Sequence, residues 1–162
     1  MDRIQYTINW YNGEIFEGKF ILGFGLFLIL TALLFYFLGN TPTAKFLLIP
    51  MLIIGVFFSA TGANMMYSNG KKVQEVEKKY EQNSKEFVEA EIKRVEGFQY
   101  LYPMSIATSL ACFLIAIGLL YFTKNVQLQA IAISLIFFGG AFAIIDYFSK
   151  ERATIYYEQL KL

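Results

Sequence analysis

Four runs without a single charged residue dominate this chain. They cover 20–38, 46–66, 100–123 and 125–145. A hydrocarbon layer about 30 Å thick is crossed by about 20 helical residues, each rising 1.5 Å. A buried helix of that length in a soluble protein would carry a polar stripe, and these runs carry none. They predict an all-α integral membrane protein with transmembrane helices over 19–38, 46–67, 102–123 and 126–147. Composition agrees: 17% of the residues are charged, against about 25% in an ordinary soluble domain.

The links between runs predict how the spans pair. "GNTPTAK" joins the first two and contains Gly39, Asn40 and Pro42, which end helices and make turns. "TKNVQ" joins the last two and is equally short and polar. Two hairpins follow. Tyr36, Tyr67, Tyr100, Tyr102, Tyr121 and Tyr147 gather near span ends, and Trp10 precedes the first span, as amphipathic rings do at the headgroup level.

Lys and Arg set the orientation. Of the 14 in the chain, only Lys45 and Lys124 fall in the two short links, which leaves 12 on the other side. Positive charge stays cytoplasmic. Both termini and the segment between the second and third spans are therefore expected inside, in a multi-pass protein of the plasma (inner) membrane. The first apolar run starts late, after Glu14, Glu17 and Lys19, and has full span length, so it reads as an anchor and not as a cleaved signal.

The halves resemble each other. "ALLFYF" at 32–37 is echoed by "GLLYFT" at 118–123, and "KYEQ" at 79–82 by "YYEQ" at 156–159. These echoes suggest a tandem, parallel repeat of one two-span unit followed by a cytoplasmic helix.

Three segments outside the spans are amphipathic: an arm over 1–18, a connector over 71–97 and a tail over 149–162. The connector holds 14 of the 27 charged residues, seven of each sign. Val73, Val76 and Tyr80 mark one helical face, and Val88, Ile92 and Val95 mark another. Asn83 followed by Glu86 predicts a helix start with a capping box, and Gly97 predicts its end. Glu75–Lys79, Glu81–Lys85 and Glu89–Lys93 stand at the i, i+4 spacing of favourable pairs. Tyr156 and Leu160 lie on the apolar stripe of the tail. Val88, Ile92, Val95, Tyr156 and Leu160 thus form a candidate contact surface. Glu14 and Glu17 are one helical turn apart, open either to pairing with Arg94 or Arg152 or to hydration alone.

The chemistry on offer is narrow. The chain has no histidine and one cysteine, Cys112. Histidine-ligated haem or zinc, Ser-His hydrolysis and a dithiol redox pair are excluded for the chain alone. No phosphate-binding glycine loop occurs. No catalytic residue, cofactor or metal is expected, and the neutral connector argues against nucleic acid as a partner. Gly55, Ser59 and Ala63 recur every fourth residue in the second span and form a candidate packing stripe. Asp146 is the acid nearest a span interior. With Asn64, Tyr67 and Tyr147 it makes a candidate polar cluster.

The expected function is contact. The chain reads as a non-enzymatic membrane protein whose partners are the bilayer and a protein, or a second copy of itself: an assembly factor, an envelope-machine accessory or a toxin-neutralising partner. The alternative is a small oligomeric channel or carrier with a polar cytoplasmic mouth at Asp146 and Asn64. Reporter fusions test the orientation. Positions near Asn40 and Asn125 should report outside and Ser84 inside; an external signal at Ser84 overturns the charge-based topology.

Overall fold

The computed structural model describes residues 3–162; residues 1 and 2 of the expected arm lie outside the described residues. The helices are α1 (Arg3–Leu38), α2 (Pro42–Phe46), α3 (Leu48–Gln82), α4 (Ser84–Phe98), α5 (Leu101–Phe122) and α6 (Val126–Lys161). The described chain contains four helical stretches long and apolar enough to cross a membrane: α1, α2 with α3, α4 with α5, and α6.

The ends of these helices follow from local chemistry. Thr41 caps α2 by accepting from the Ala44 N–H at 3.3 Å, and Pro42 stands in the first turn, where a missing N–H costs nothing. Asn125 caps α6 by accepting from the N–H groups of Gln127 and Leu128. Asn83 breaks the chain between α3 and α4. Its side-chain oxygen accepts from the Glu86 N–H at 3.2 Å, while its amide donates to the Glu86 carboxylate at 3.0 Å.

Elsewhere the helices run further than the amphipathic segments implied. The arm is the first half of α1, the start of the connector is the end of α3, and the tail is the end of α6. Gly97 does not end α4, which continues to Phe98, and no described glycine has a positive φ. The break falls at Gln99–Tyr100 instead. Pro103 has no N–H for the carbonyl four residues back, that of Gln99, which accepts instead from the Tyr102 N–H three residues on, at 3.3 Å, so the chain tightens there while Gln99 and Tyr100 keep helical φ and ψ. Glu75–Lys79 forms the expected pair at 2.6 Å. Glu81–Lys85 and Glu89–Lys93 form none among the described residues; the Asn83 break takes Glu81 and Lys85 out of a common helix.

Packing is organised by a step of seven. The buried residues of α1 include Thr7, Glu14, Ile21 and Leu28 in one series and Tyr11, Gly18, Gly25 and Ala32 in another. Those of α3 include Met51 and Phe58 in one series and Gly55, Gly62, Asn69 and Val76 in another. Such a repeat keeps one seam facing one partner along a long helix pair. The pair is antiparallel, with Gly18 meeting Gly62 and Gly25 meeting Gly55. The backbones nearly touch: a methyl built on Gly25 would lie 2.6 Å from the Gly55 carbonyl oxygen, and one on Gly62 would lie 2.6 Å from that of Gly18.

This contact refines the expected stripe. Gly55 and Ser59 face α1, but Ala63 is exposed and Gly62 takes the close approach. The seam is built from two helices, and its period is seven, not four.

The helix α6 holds the remainder together. It packs against α1, α3 and α4, and α5 packs almost wholly on it. Ser105, Ser109, Cys112 and Ala116 are the small buried residues of α5 inside its apolar stretch, and Gly139 of α6 approaches Cys112 and Ser109. One apolar core joins Ile21, Leu28, Met51, Phe58 and Ala130; a second, at the charged end, joins Trp10, Tyr11, Val76, Val95, Tyr156 and Leu160.

The glycines make a paired test. Gly25→Ala forces α1 from α3, whereas at Gly23 no atom lies within 4 Å of an added methyl. In thermal denaturation of the purified protein in detergent, Gly25→Ala should lower the midpoint by several degrees. Gly23→Ala should leave it unchanged or raise it, since alanine favours helix by about 1 kcal/mol. Equal effects would contradict the close seam.

Candidate functional site

The polar chemistry of the chain concentrates where α1, α3, α4 and α6 meet beyond their apolar stretches. Helices α1 and α6 are each 36 residues long, about 54 Å at 1.5 Å per residue, well over the thickness of a hydrocarbon core. Their surplus lengths lie side by side, and α4 packs across α6.

Glu91 is the centre of one cluster. It stands on the face of α4 that also carries Val88 and Val95, and all three are buried. Tyr11 of α1 donates to Glu91 Oε1 at 3.1 Å. The Tyr156 hydroxyl of α6 is 2.8 Å from Glu91 Oε2 and 2.9 Å from Thr7 Oγ1. With one proton, it donates to one of these two acceptors at a time, and the Thr7 hydroxyl donates to the Arg3 carbonyl at 3.2 Å. Arg94 closes the set by donating from Nη2 to Glu91 Oε2 at 2.6 Å.

The cations and rings are stacked. The Arg94 guanidinium lies 4.5 Å from the Trp10 ring centre and 5.3 Å from that of Tyr11. Trp10 in turn stacks on Tyr156 at 5.1 Å and 18°. Guanidinium over indole is the favoured cation–π arrangement. Burial pushes the Tyr11 and Tyr156 phenols well above the ordinary tyrosine range, helped by the nearby Glu91 charge, so both stay neutral donors. Burial alone would lower Arg94, but its hydrogen bond and attraction to Glu91 outweigh that and hold it above its usual value.

A second cluster lies one to two turns nearer the apolar stretch. Arg152 of α6 donates to Glu14 at 2.7 Å and also to Glu17, both on α1. Glu14 and Glu17 are both buried. Two carboxylates share one guanidinium there, and Glu17 Oε1 has no hydrogen-bond partner. Of the two partners open to Glu14 and Glu17 on sequence grounds, the fold selects Arg152 and gives Arg94 to Glu91.

The proposed contact surface turns inward. Val88, Val95, Tyr156 and Leu160 are buried and Ile92 is half-buried; all but Val88 belong to the second core or pack against it. Their apolar faces close on one another, which leaves them no open surface for a partner. Trp10 is likewise buried in this core.

The proposed polar cluster divides between α3 and α6. Asn64 and Tyr67 are exposed on α3, and Tyr147 is exposed on α6. Asp146 is half-buried beside Ser105 of α5. It lines a groove of about 520 Å³ with Tyr102, Tyr147 and Lys150, and neither Asn64 nor Tyr67 reaches that groove. Sequence reasoning missed Glu91. The signal was there: a glutamate between Val88 and Val95 at steps of three and four, on the face the valines bury.

Among the described residues no three His, Cys, Asp or Glu side chains converge as metal ligands do. The arrangement is an all-helical bundle with four candidate membrane-spanning helices and a polar, aromatic knot at one end. No protein-family model, no curated protein and no solved structure matches the chain.

The knot ranks its own variants. Arg94→Met leaves a carboxylate facing two phenols with no counter-charge. Removing one partner of a buried pair costs roughly 3–5 kcal/mol, and Arg94 keeps 28% of its side chain exposed, so the loss should fall at or below the low end. Tyr156→Phe removes one donor to a charged group, roughly 1.5–3 kcal/mol. Both should lower the melting midpoint, whereas Lys79→Ala at an exposed pair should not. Equal midpoints for Arg94→Met and Lys79→Ala would show that the knot does not hold α4.

Proposed function

We propose that this chain is a non-enzymatic, multi-pass membrane protein that works by contact with another protein, through the outward face of α5. Support comes from one observation above all: α5 leans almost wholly on α6 and leaves much of its surface open. Leu110, Leu114, Ile117 and Tyr121 of this helix are 57–81% exposed. In a bilayer, apolar exposure carries no cost, so association there runs on packing between helices. A helix with one neighbour has a face free for a second. The charged side chains at the bundle end are engaged with one another in Glu91–Arg94 and Glu14/Glu17–Arg152. The chain is read as two hairpins in tandem parallel repeat, with both termini and α4 in the cytoplasm and the membrane the plasma (inner) membrane. Assembly factor, envelope-machine accessory and toxin-neutralising partner all fit that shape.

The groove between α5 and α6 favours a second reading, a small oligomeric channel or carrier with Asp146 at its mouth. One experiment separates the two. A photo-crosslinking residue at Leu110 or Leu114, activated in native membranes, should capture one discrete foreign protein. The same residue at Ile49 of α3, also lipid-exposed, should capture none. Capture of a second copy together with ion flux in bilayers would favour the channel, and capture of lipid alone from both helices would remove the contact reading.

A further inference from the structure

Residues 84–122 form one rod with a tightened turn in it. Gln99 and Tyr100, between α4 and α5, keep helical φ and ψ. Two bonds of 3.3 Å close the turn: the Gln99 N–H donates to the Glu96 carbonyl, and the Tyr102 N–H to that of Gln99. The rings of Phe98 and Tyr102 pack edge to face across it, their centres 6.2 Å apart. Extended backbone stands at either end of the rod, at Asn83 with φ −160° and ψ 93° and at Thr123 with φ −121° and ψ 143°. The joints of the chain thus bracket 84–122, and none falls inside it.

The rod is attached mainly to α6. Helix α5 packs almost wholly there, and α4 packs on α6 and α3. Tyr156 and Tyr157 of α6 hydrogen-bond Glu91 and Glu96, and Tyr102 donates to the Ser149 carbonyl at 3.5 Å. Tyr11 of α1 adds its bond to Glu91. The seam under α5 is incompletely satisfied. Ser109 is buried where Gly139 of α6 approaches, and its hydroxyl has no hydrogen-bond partner. A buried hydroxyl left unpaired costs stability, which weakens the hold of α6 on α5.

We propose that residues 84–122 unseat from α6 as one unit, so that the place of α4 at Glu91 and the place of α5 in its apolar seam are lost and regained together. Units that open locally follow supersecondary structure, and coupling between two sites works in both directions. A protein docked on the outer face of α5 then acts on α4. That consequence rests on the contact reading above, whereas the coupling is tested with no partner present.

The chain carries its own probe: Cys112 of α5 is its only cysteine and is buried. It stands about 30 Å along the rod from Glu91, at 1.5 Å per residue. The experiment follows the labelling of Cys112 by N-ethylmaleimide in the detergent-purified full chain, well below the melting midpoint. Glu91→Gln should speed labelling about tenfold, the scale of one lost hydrogen bond to a charged group. Gly25→Ala, which loosens α1 from α3, should leave the rate near that of the unaltered chain. In the other direction, Ser109→Ala removes the unpaired hydroxyl and should slow amide hydrogen exchange over 84–98 severalfold. An unaltered labelling rate in Glu91→Gln, equal acceleration in Gly25→Ala, or unchanged exchange over 84–98 in Ser109→Ala would overturn the proposal. Failed crosslinking at Leu110 and Leu114 with these results intact would remove the partner and leave the coupling standing.

Discussion

The close approach of α1 to α3 is the contact on which the rest of the molecule is built. Inside a bilayer there is no hydrophobic gain in bringing two apolar helices together, because lipid tails are as apolar as leucine. Close packing must do it. Gly18 and Gly25 opposite Gly62 and Gly55 let the two backbones meet at a distance no side chain permits. The step of seven then carries that register outward: Tyr11 falls in series with Gly18 and Gly25, and Asn69 and Val76 with Gly55 and Gly62. The same alignment that joins the helices in the apolar region thus delivers Tyr11 and Thr7 to the knot around Glu91.

The knot itself is a device of specificity more than of raw stability. Buried ion pairs lose much of their attraction to desolvation, and apolar replacements are often as stable. What Glu91 adds is direction. Its two oxygens are met by phenols from α1 and α6 and by Arg94 from its own helix. A valine or leucine there would bind to any apolar surface; a carboxylate is satisfied by donors in one arrangement only. For a short helix such as α4, held by few contacts, that selectivity determines where it sits.

Much of this was legible from the residues, and the boundary of legibility has a physical cause. The four apolar runs, the Asn83 cap and the Thr41–Pro42 turn are local features, written in consecutive residues. The continuity of α1, α3 and α6 through their changes of composition was less legible, for a related reason. A helix has no need to stop where its surroundings change from lipid to water, so a switch from apolar to amphipathic composition at Lys71 or Ser149 marks a change of environment and not of conformation. Gly97 misled because glycine permits an end without imposing one. Pro103 withholds the N–H that an α-helix would offer Gln99, and the Gln99 carbonyl takes the Tyr102 N–H instead. Partners across the fold were the least legible: Glu91 meets Tyr11 across 80 residues of sequence, and only its place between two buried valines hinted at it.

Helical continuity has a mechanical consequence. Three of the long helices pass out of their apolar stretches without a joint, so each behaves as a lever. A tilt of about 5° within the bilayer would move the far end of a roughly 22 Å extension by about 2 Å. The one extended residue at this end of the described chain is Asn83, before α4; on its other side Gln99 and Tyr100 keep helical φ and ψ and carry α4 on into α5. Helix α4 turns off α3 at Asn83, lies against α6 and α1, and is latched there by Glu91. A displacement of α1 relative to α6 in the membrane would separate Tyr11 from Tyr156 and work directly on that latch. The bundle is thereby geared to turn a small lateral change among its spans into a swing of its most highly charged helix.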